Sequence, residues 1–318
     1  MANVSFRPRR LGHVNLYASN LERSMEFYEK ICGIEPVAIE EALRAGFHSN
    51  GNTHHDIGII EVSRGVDRLG RDGKVQVAAT RGTRPGLNHL GWEMENEVEL
   101  VAGYRRLLAA GLRPTALYDH QISHAIYISD PDGNVHEFYA DMMRDWRKVM
   151  NMAQRGLMTS QWNPLENTPT QEPNYDTSPT IRQVPAAPLH PRNTTSATFA
   201  THRFEPMKQF MLEVVGLALL KEERNDRNLR RAGFQAMHGE RDLVLQEVRE
   251  GEPTGYRCFA LLLGKDTDLD AARKHLKAAG VNPVERVDDD GRRTLVLIDP
   301  DGMEVEFYRT QVDRAAAA

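Results

Sequence analysis

A chain of 318 residues is long enough for two domains of about 150 residues, each with its own core. Hydrophobic residues make up 40% of it, charged residues make up 27%, and the formal net charge is -5. The chain therefore lacks the basic surface of nucleic-acid-binding and membrane-surface proteins. It has no apolar run of about 18 residues, no secretory signal and only two cysteines. We therefore expect a cytoplasmic protein with no membrane segment and no disulfide framework.

The first half of the chain predicts two rounds of one strand, one helix and three strands. Ser19 and Glu22 are spaced as a capping box at the start of the first helix, and Gly33 marks its end. The second helix is predicted from about Asn96 to Ala110. The predicted strands lie near 11–17, 36–40, 44–49, 55–62, 87–93, 113–117, 123–129 and 134–140.

The second half repeats the first. DPDGNVHEFY at 130–139 returns as DPDGMEVEFY at 299–308, an offset of 169 residues. LAAGLRP at 108–114 aligns with KAAGVNP at 277–283 at the same offset. The first half also has a polar insert at 64–84 that the second half lacks. This repeat predicts an α+β fold of four βαβββ modules, paired into two domains.

A proline-rich stretch separates the two copies. Seven of the sixteen prolines lie between Asn163 and Pro191, among Ser, Thr, Asn and Gln, which is typical of an extended linker. We predict a catalytic metal-binding domain at 1–158, a linker at 159–191 and a second domain at 192–312.

Three residues on the predicted strands of the first half have the chemistry of metal ligands. His13 lies in LGHVNLY, His89 in LNHLGWE and Glu137 in NVHEFYA. Because side chains alternate along a strand, Glu137 shares a face with Tyr139, while His136 faces the other way. Two imidazoles and one carboxylate form the facial triad that holds Fe(II) and leaves coordination positions open.

This arrangement resembles the vicinal oxygen chelate (glyoxalase-like) superfamily and, within it, the type I extradiol catechol dioxygenases. The segment DHQISHAIYISDPDGNVHEFYAD is similar to the end of their catalytic domain. The resemblance implies that Glu137 is the metal carboxylate, Tyr127 the active-site tyrosine and His120 a second-sphere histidine. It also implies that His55, in THHDIGII, is the acid–base histidine. In most relatives that residue lies closer to the second metal histidine, whereas here the 64–84 insert intervenes.

The same resemblance implies an activity. The expected enzyme is an extradiol dioxygenase of aromatic catabolism that cleaves the ring of a small catechol with O2 and forms a muconic semialdehyde. The expected cofactor is Fe(II), with Mn(II) as the alternative, and no organic cofactor site is predicted. We expect a homo-oligomer with no nucleic-acid or membrane partner.

The second half does not keep the triad. By the repeat alignment only the carboxylate survives, so this domain is predicted to be structural. The aligned pairs are His13 with Ser196, His55 with Arg241, His89 with Cys258, His120 with Asp289, Tyr127 with Val296 and Glu137 with Glu306.

Two other functions remain open from the sequence. Glu61 lies on the last predicted strand of the first module, so a glyoxalase-like isomerase or lyase could use it as a fourth ligand. A metal-free binding protein of the same fold is the third hypothesis, against which the complete triad argues. The basic 64–84 insert is interpreted as a solvated loop, as part of the pocket mouth or as a feature that attracts an acidic substrate.

Overall fold

The computed structural model describes residues 5–265, 267–287 and 292–309. It contains two curled β-sheets, of nine and eight strands, with helices on one face of each. The predicted α+β architecture of paired βαβββ modules is therefore confirmed. Within the described ranges, no helix is both long and apolar enough to cross a membrane.

The first sheet combines two modules, in the spatial order β11-β8-β9-β10-β7-β1-β4-β3-β2. Its strands are β1 (Arg10–Ala18), β2 (Pro36–Glu40), β3 (Ala45–His48), β4 (Ile57–Glu61), β7 (Gly86–Glu93), β8 (Ala116–Asp119), β9 (Ser123–Ser129), β10 (Val135–Asp141) and β11 (Ser160–Gln161). Between β4 and β7, the short strands β5 (Arg68–Leu69) and β6 (Val75–Val77) form a separate ribbon. The first strands of the two modules, β1 and β7, pair antiparallel and join the modules at the centre of the sheet.

Two helices cover the outer face of this sheet. They are α1 (Leu21–Lys30) and α2 (Glu97–Ala109). Asn20 caps α1, because its side chain accepts a hydrogen bond from the Arg23 backbone N–H, so the Ser19–Glu22 capping box is wrong. Ser19 instead donates its hydroxyl to Asp301 of the second domain. Asn96 caps α2 in the same way, through the Glu99 backbone N–H.

The second domain repeats this plan with eight strands. Its strands are β12 (Pro191–Thr201), β13 (Ala218–Arg224), β14 (Arg230–Gln235), β15 (Leu243–Glu247), β16 (Gly255–Leu263), β17 (Val284–Val287), β18 (Arg293–Ile298) and β19 (Glu304–Tyr308). Its helices are α3 (Phe204–Gln209), which continues as a π-helical segment over Phe210–Val215, and α4 (Leu269–Ala278). One continuous buried core extends through both domains.

The strand registers confirm the internal alignment of the two halves. In the first sheet, His13 pairs with Gly91 and Gly91 with Glu137. The equivalent row of the second sheet is Ser196, Ala260 and Glu306. The same registers place Cys258 at the position of His89 and Val296 at that of Tyr127. Arg241 precedes β15 by two residues, as His55 precedes β4. The proposed counterpart of His120, Asp289, lies outside the described residues.

Candidate metal centre

His13, His89 and Glu137 meet on the concave face of the first sheet. They lie on three adjacent strands, β1, β7 and β10, and all three side chains are buried. The register places the backbone of Gly91 directly between His13 and Glu137, and Asn15 opposite His89. The centre of the sheet, where the two modules join, is therefore where the predicted ligands converge.

The spacing of the three side chains fits a single cation. The Nε2 atom of His13 lies 2.7 Å from Glu137 Oε2 and 3.3 Å from His89 Nε2, and His89 Nε2 lies 3.0 Å from Glu137 Oε2. Ligands at about 2.1 Å from a metal and at right angles to each other are about 3.0 Å apart. Three mutual separations near this value define one face of an octahedron, so the triad fits a metal with open positions on the opposite face.

The protonation states also suit ligation. Burial raises the pKa of Glu137, but the neighbouring imidazoles of His89 and His13 outweigh it and hold that pKa well below the usual range. Burial lowers the pKa of His13 to about 4. His89 Nδ1 lies 2.6 Å from the side-chain oxygen of Asn88 and donates its proton there, which leaves the lone pair of Nε2 facing the centre. An ionised carboxylate and imidazole lone pairs are the forms that bind metals.

Tyr127 and His120 extend from Glu137 in a directed chain of hydrogen bonds. Tyr127 lies opposite Glu137 on β9 and donates its hydroxyl to Oε1 at 2.6 Å. His120 Nε2 donates to the Tyr127 hydroxyl at 3.0 Å, and His120 Nδ1 accepts from the Thr159 hydroxyl at 2.6 Å. This direction requires a neutral His120, in agreement with its pKa, which burial lowers to about 4. Thr159 lies within the predicted linker, and sequence reasoning gave it no role.

His55 lies directly against the triad despite its separation from His89 in the sequence. Its ring contacts that of His13, with 3.9 Å between ring centres, and neither ring nitrogen has a hydrogen-bond partner. Burial and the neighbouring histidines lower its pKa well below the ordinary value. His54, to which the sequence assigned nothing, is buried beside it and donates from Nδ1 to Asp141 at 3.0 Å. A buried imidazole with two free nitrogens is therefore available at the centre.

Glu61 does not join the centre. Its carboxylate accepts the Leu21 backbone N–H at 3.2 Å and pairs with Arg44 at 2.6 Å, on the helix side of the sheet. The register shows that the first-module residue equivalent to Glu137 is Gly58. Gly58 lies three positions before Glu61 on β4, so the Glu61 side chain faces the opposite side of the sheet from the triad. The hypothesis that Glu61 is a fourth ligand is wrong, because a glycine occupies the fourth-ligand position.

Sequence reasoning gave no role to two residues of the centre. Asn15 lies two positions after His13 on the same face, and its buried side-chain oxygen has no hydrogen-bond partner. Gly91 separates His13 from Glu137, and a methyl group on its Cα would overlap the His13 imidazole. The role of Gly91 can be seen only from the strand register. The alternation of side chains along β1 could have suggested Asn15.

A cavity opens from the triad along the concave face. It is lined by Asn15, His55, His89 and Glu137, and also by the apolar side chains of Leu43, Phe47, Ile122, Met150 and Met158; the ring centres of Phe47 and His55 are 5.1 Å apart. The 64–84 insert contributes Gln76, Val77 and Arg81 to its wall. The insert is therefore part of the pocket wall, although most of its basic side chains are exposed to solvent, as expected of a solvated loop.

The second domain holds the active strands in place. Its Asp242 accepts the backbone N–H of Leu11 at 2.8 Å, next to His13 in β1. Thr194 donates its hydroxyl to the backbone oxygen of Asp56 at 3.0 Å, and Tyr28 of α1 donates to Asp299 at 3.1 Å. These bonds anchor β1, the residue that follows His55, and α1, so the second domain supports the site from outside.

On the equivalent face of the second domain, the residues that the structure describes form no triad. Burial raises the pKa of the Cys258 thiol to about 12, so it is not a thiolate, and Glu306 faces the guanidinium groups of Arg286 and Arg292. Among the described residues, only the first domain brings imidazoles and a carboxylate together at ligand distances.

The sequence profile of the Glyoxalase/Bleomycin resistance protein/Dioxygenase superfamily matches residues 10–138 and 195–307, most of the chain. The chain belongs to this superfamily. Both matched segments correspond to the two sheets, so both domains carry the superfamily fold, which is the vicinal oxygen chelate fold expected from the sequence.

Two characterised bacterial proteins are similar to part of the chain. Catechol-2,3-dioxygenase of Bacillus subtilis (strain 168) is 28% identical over 139 residues, which cover 43% of this chain and 44% of that protein. The trivalent organoarsenical cleaving enzyme of Bacillus sp. (strain MD1) is 28% identical over 134 residues, which cover 40% of this chain and 70% of that enzyme. The match therefore spans less than half the length of the dioxygenase.

The whole architecture matches a solved dioxygenase. The 2,3-dioxygenase LapB from Pseudomonas sp. KL28 superposes with a TM-score of 0.67 at 15% identity, over 95% of this chain and 92% of that one. At this identity the likeness establishes the fold: the chain has the two-domain fold of an extradiol dioxygenase. Superfamily members with different activities share this fold, so the reaction has to be argued from the residues of the centre.

Proposed function

We propose that this chain is a non-haem Fe(II) extradiol dioxygenase that cleaves the ring of a catechol-type diol with O2 and forms a muconic semialdehyde-type product. The observation that carries the proposal is the three-ligand centre of His13, His89 and Glu137, which has glycine at the fourth-ligand position. A three-ligand facial site leaves room for the two diol oxygens and for dioxygen, whereas a fourth protein ligand would reduce that room.

A ferrous ion held by this triad would supply Lewis acidity toward the diol and an electron source for dioxygen. The chain's own residues supply the rest. His55 presents two free ring nitrogens beside His13, so it accepts a proton from the diol and returns it later. Tyr127 and His120 hold Glu137 in its orientation, because their donors form the hydrogen-bond chain to its carboxylate.

The similarity to the organoarsenical enzyme does not favour the same substrate here. Trivalent arsenic is a soft centre that prefers thiolate ligands. Both cysteines are buried, and neither is among the residues that line the cavity. The cavity offers oxygen and nitrogen ligands, which suit a diol.

The proposal is tested with anaerobically prepared Fe(II)-loaded protein and a panel of catechol and its 3- and 4-substituted forms. On admission of air we expect uptake of one O2 per ring and a yellow product that absorbs in the visible range. An oxygen electrode and an absorbance trace provide the two measurements. If the panel gives neither uptake nor colour while iron remains bound, ring cleavage of catechols is excluded.

Replacement of His55 by Gln separates catalysis from metal binding. The variant should keep its iron, because His55 is not one of the triad, but turnover should fall on the order of 100-fold, the usual effect of losing a positioned acid–base group. Tyr127→Phe should cost less, since it removes a hydrogen bond and leaves His55 in place. Iron content and kcat are measured on the same samples. Wild-type turnover in His55→Gln would show that another group moves the proton.

A further inference from the structure

Glu40 is a buried carboxyl group without a cationic partner, and it lines the same cavity as the triad. Its residue is only 2% exposed, at the end of β2. Its Oε2 accepts the backbone N–H of Met158 at 3.1 Å. Within the part of the chain that the structure describes, no Lys, Arg or His side chain forms an ion pair with it.

Most other buried carboxylates of this domain have such partners, and Asp56 instead accepts two backbone N–H groups. Glu93 pairs with Arg10 at 2.8 Å, Glu61 with Arg44 at 2.6 Å, and Asp141 with His54 at 3.0 Å. A buried carboxylate without a partner costs free energy, because it loses its hydration and gains little in return. Burial accordingly raises the pKa of Glu40 to about 7. An unpaired carboxyl group in the wall of a substrate cavity is therefore a candidate for contact with a ligand.

The surroundings of Glu40 define what such a ligand would look like. Leu43, Phe47, Met150 and Met158 line the cavity that Glu40 also lines, and Glu40 bonds the Met158 backbone directly, so this carboxyl group lies beside an apolar wall. A carboxylate acts only as a hydrogen-bond acceptor and carries a negative charge. The complementary group is a cationic donor on an apolar stem.

The position of Glu40 in the sheet determines how far a cationic group bound to it would lie from the diol. Strand β2 is separated from β1, which carries His13, by β4 and β3. At about 4.8 Å between neighbouring strands, three steps span about 14 Å. The registers also align Glu40, through Ala45 and Ile60, with Tyr17, four residues beyond His13, so the two backbones are farther apart than this and the curl of the sheet brings Glu40 and the triad to one cavity. A further hydroxyl group on the catechol ring could not reach across such a separation. The ring must carry a side chain to reach Glu40.

We propose that Glu40 determines substrate specificity by binding a protonated amine at the end of an alkyl side chain on the catechol ring. The proposal deepens the dioxygenase function and rests on it, since the triad has to fix the diol end of the same molecule. The apolar wall holds the alkyl stem, and the Glu40 carboxylate accepts a hydrogen bond from the ammonium group. Arg81, which is exposed and lines the same cavity, would instead favour a side chain with a carboxylate.

The test measures binding to the metal-loaded protein without oxygen, so that no turnover is needed. Calorimetric titrations compare 4-(2-aminoethyl)catechol, 4-ethylcatechol and 3,4-dihydroxyphenylacetate, which differ in the charge at the end of the side chain. We expect the amine to bind about 10- to 100-fold more tightly than the ethyl compound, the usual gain from one hydrogen bond to a charged group. Equal affinities, or tightest binding of the acid, would overturn the proposal.

Glu40→Gln is the decisive variant, and Glu41→Gln is its matched control. A glutamine at position 40 keeps an acceptor for the Met158 N–H, so folding and metal content should be unchanged. It should erase the preference for the amine and leave the affinity for 4-ethylcatechol unchanged. Glu41 is exposed and pairs with Arg155, so its replacement should leave the preference intact. Equal weakening of both ligands by Glu40→Gln would mean that Glu40 is structural.

The calorimetric titrations distinguish the proposed role of Glu40 from the proposed dioxygenase function. Oxidation of several catechols with no preference for the amine would refute the role of Glu40 and leave the dioxygenase standing. Amine binding that depends on Glu40, with no oxygen uptake by any catechol, would support the role of Glu40 while refuting ring cleavage.

Discussion

Glu137→Gln should abolish metal binding and turnover together. The side chain keeps nearly the same size, but it loses the negative charge that balances a divalent cation beside two neutral imidazoles. It also loses the anionic acceptor of the Tyr127 hydroxyl, so the hydrogen-bond chain through His120 is disturbed. Loss of a residue that only hydrogen-bonds to a metal ligand already lowers metal affinity about 10- to 100-fold. Because Glu137 is itself a ligand, we expect its replacement to lower metal affinity about 100-fold or more.

The measurement is metal content after loading and exhaustive buffer exchange, with kcat on the same samples. The wild type should retain one ion per chain, because Ser196 and Cys258 replace both histidines in the second domain. Glu61→Gln and Glu306→Gln are the matched controls, and both should retain that ion. Two tight sites per chain would show that the second domain also binds metal, and metal loss in Glu61→Gln would revive the glyoxalase-like ligand set.

The modules and the triad could be predicted from the sequence, because both depend on periodic, local patterns. Alternation along 134–140 put Glu137 and His136 on opposite faces, and the structure places Glu137 beside His13 and His89 on one face of the sheet. The internal repeat predicted which residues replace the triad in the second domain, and the registers agree. The catalytic roles of His55, Tyr127 and His120 and the proposed domain limits remain predictions.

What the sequence could not supply was the register between strands. Glu61 looked equivalent to Glu137 because both are acidic and end their modules, yet a shift of three positions reverses the face of the sheet. The pairing of β4 with β1 is needed to see that Gly58 holds that place. The 64–84 insert was ambiguous for a related reason: its polar composition resembles a free loop, but Arg68 donates to the backbone oxygens of Leu43 and Glu61 and ties the insert over the cavity.

Gly91→Ala should remove the metal site while the sheet still forms. Gly91 has an ordinary strand conformation, so alanine would meet no backbone strain there. Its methyl group would, however, overlap the Cε1 and Nε2 atoms of His13, which is itself fully buried and cannot retreat into solvent. The imidazole must rotate away, and its Nε2 then leaves the position 2.7 Å from Glu137. We expect metal affinity to fall at least as far as in Glu137→Gln.

A residue of the second domain, Ala260, provides the matched control for Gly91→Ala. Ala260 occupies the register position of Gly91 in the second domain, where the small Ser196 replaces His13 and leaves room for the methyl group. Ala260→Gly should therefore leave metal content and turnover unchanged. In Gly91→Ala, overpacking should cost about 1–3 kcal/mol of unfolding free energy, measured by urea denaturation of the metal-free protein. Full metal retention by a folded Gly91→Ala variant would contradict this account, because it would mean that the Nε2 atom of His13 need not lie where the triad requires it.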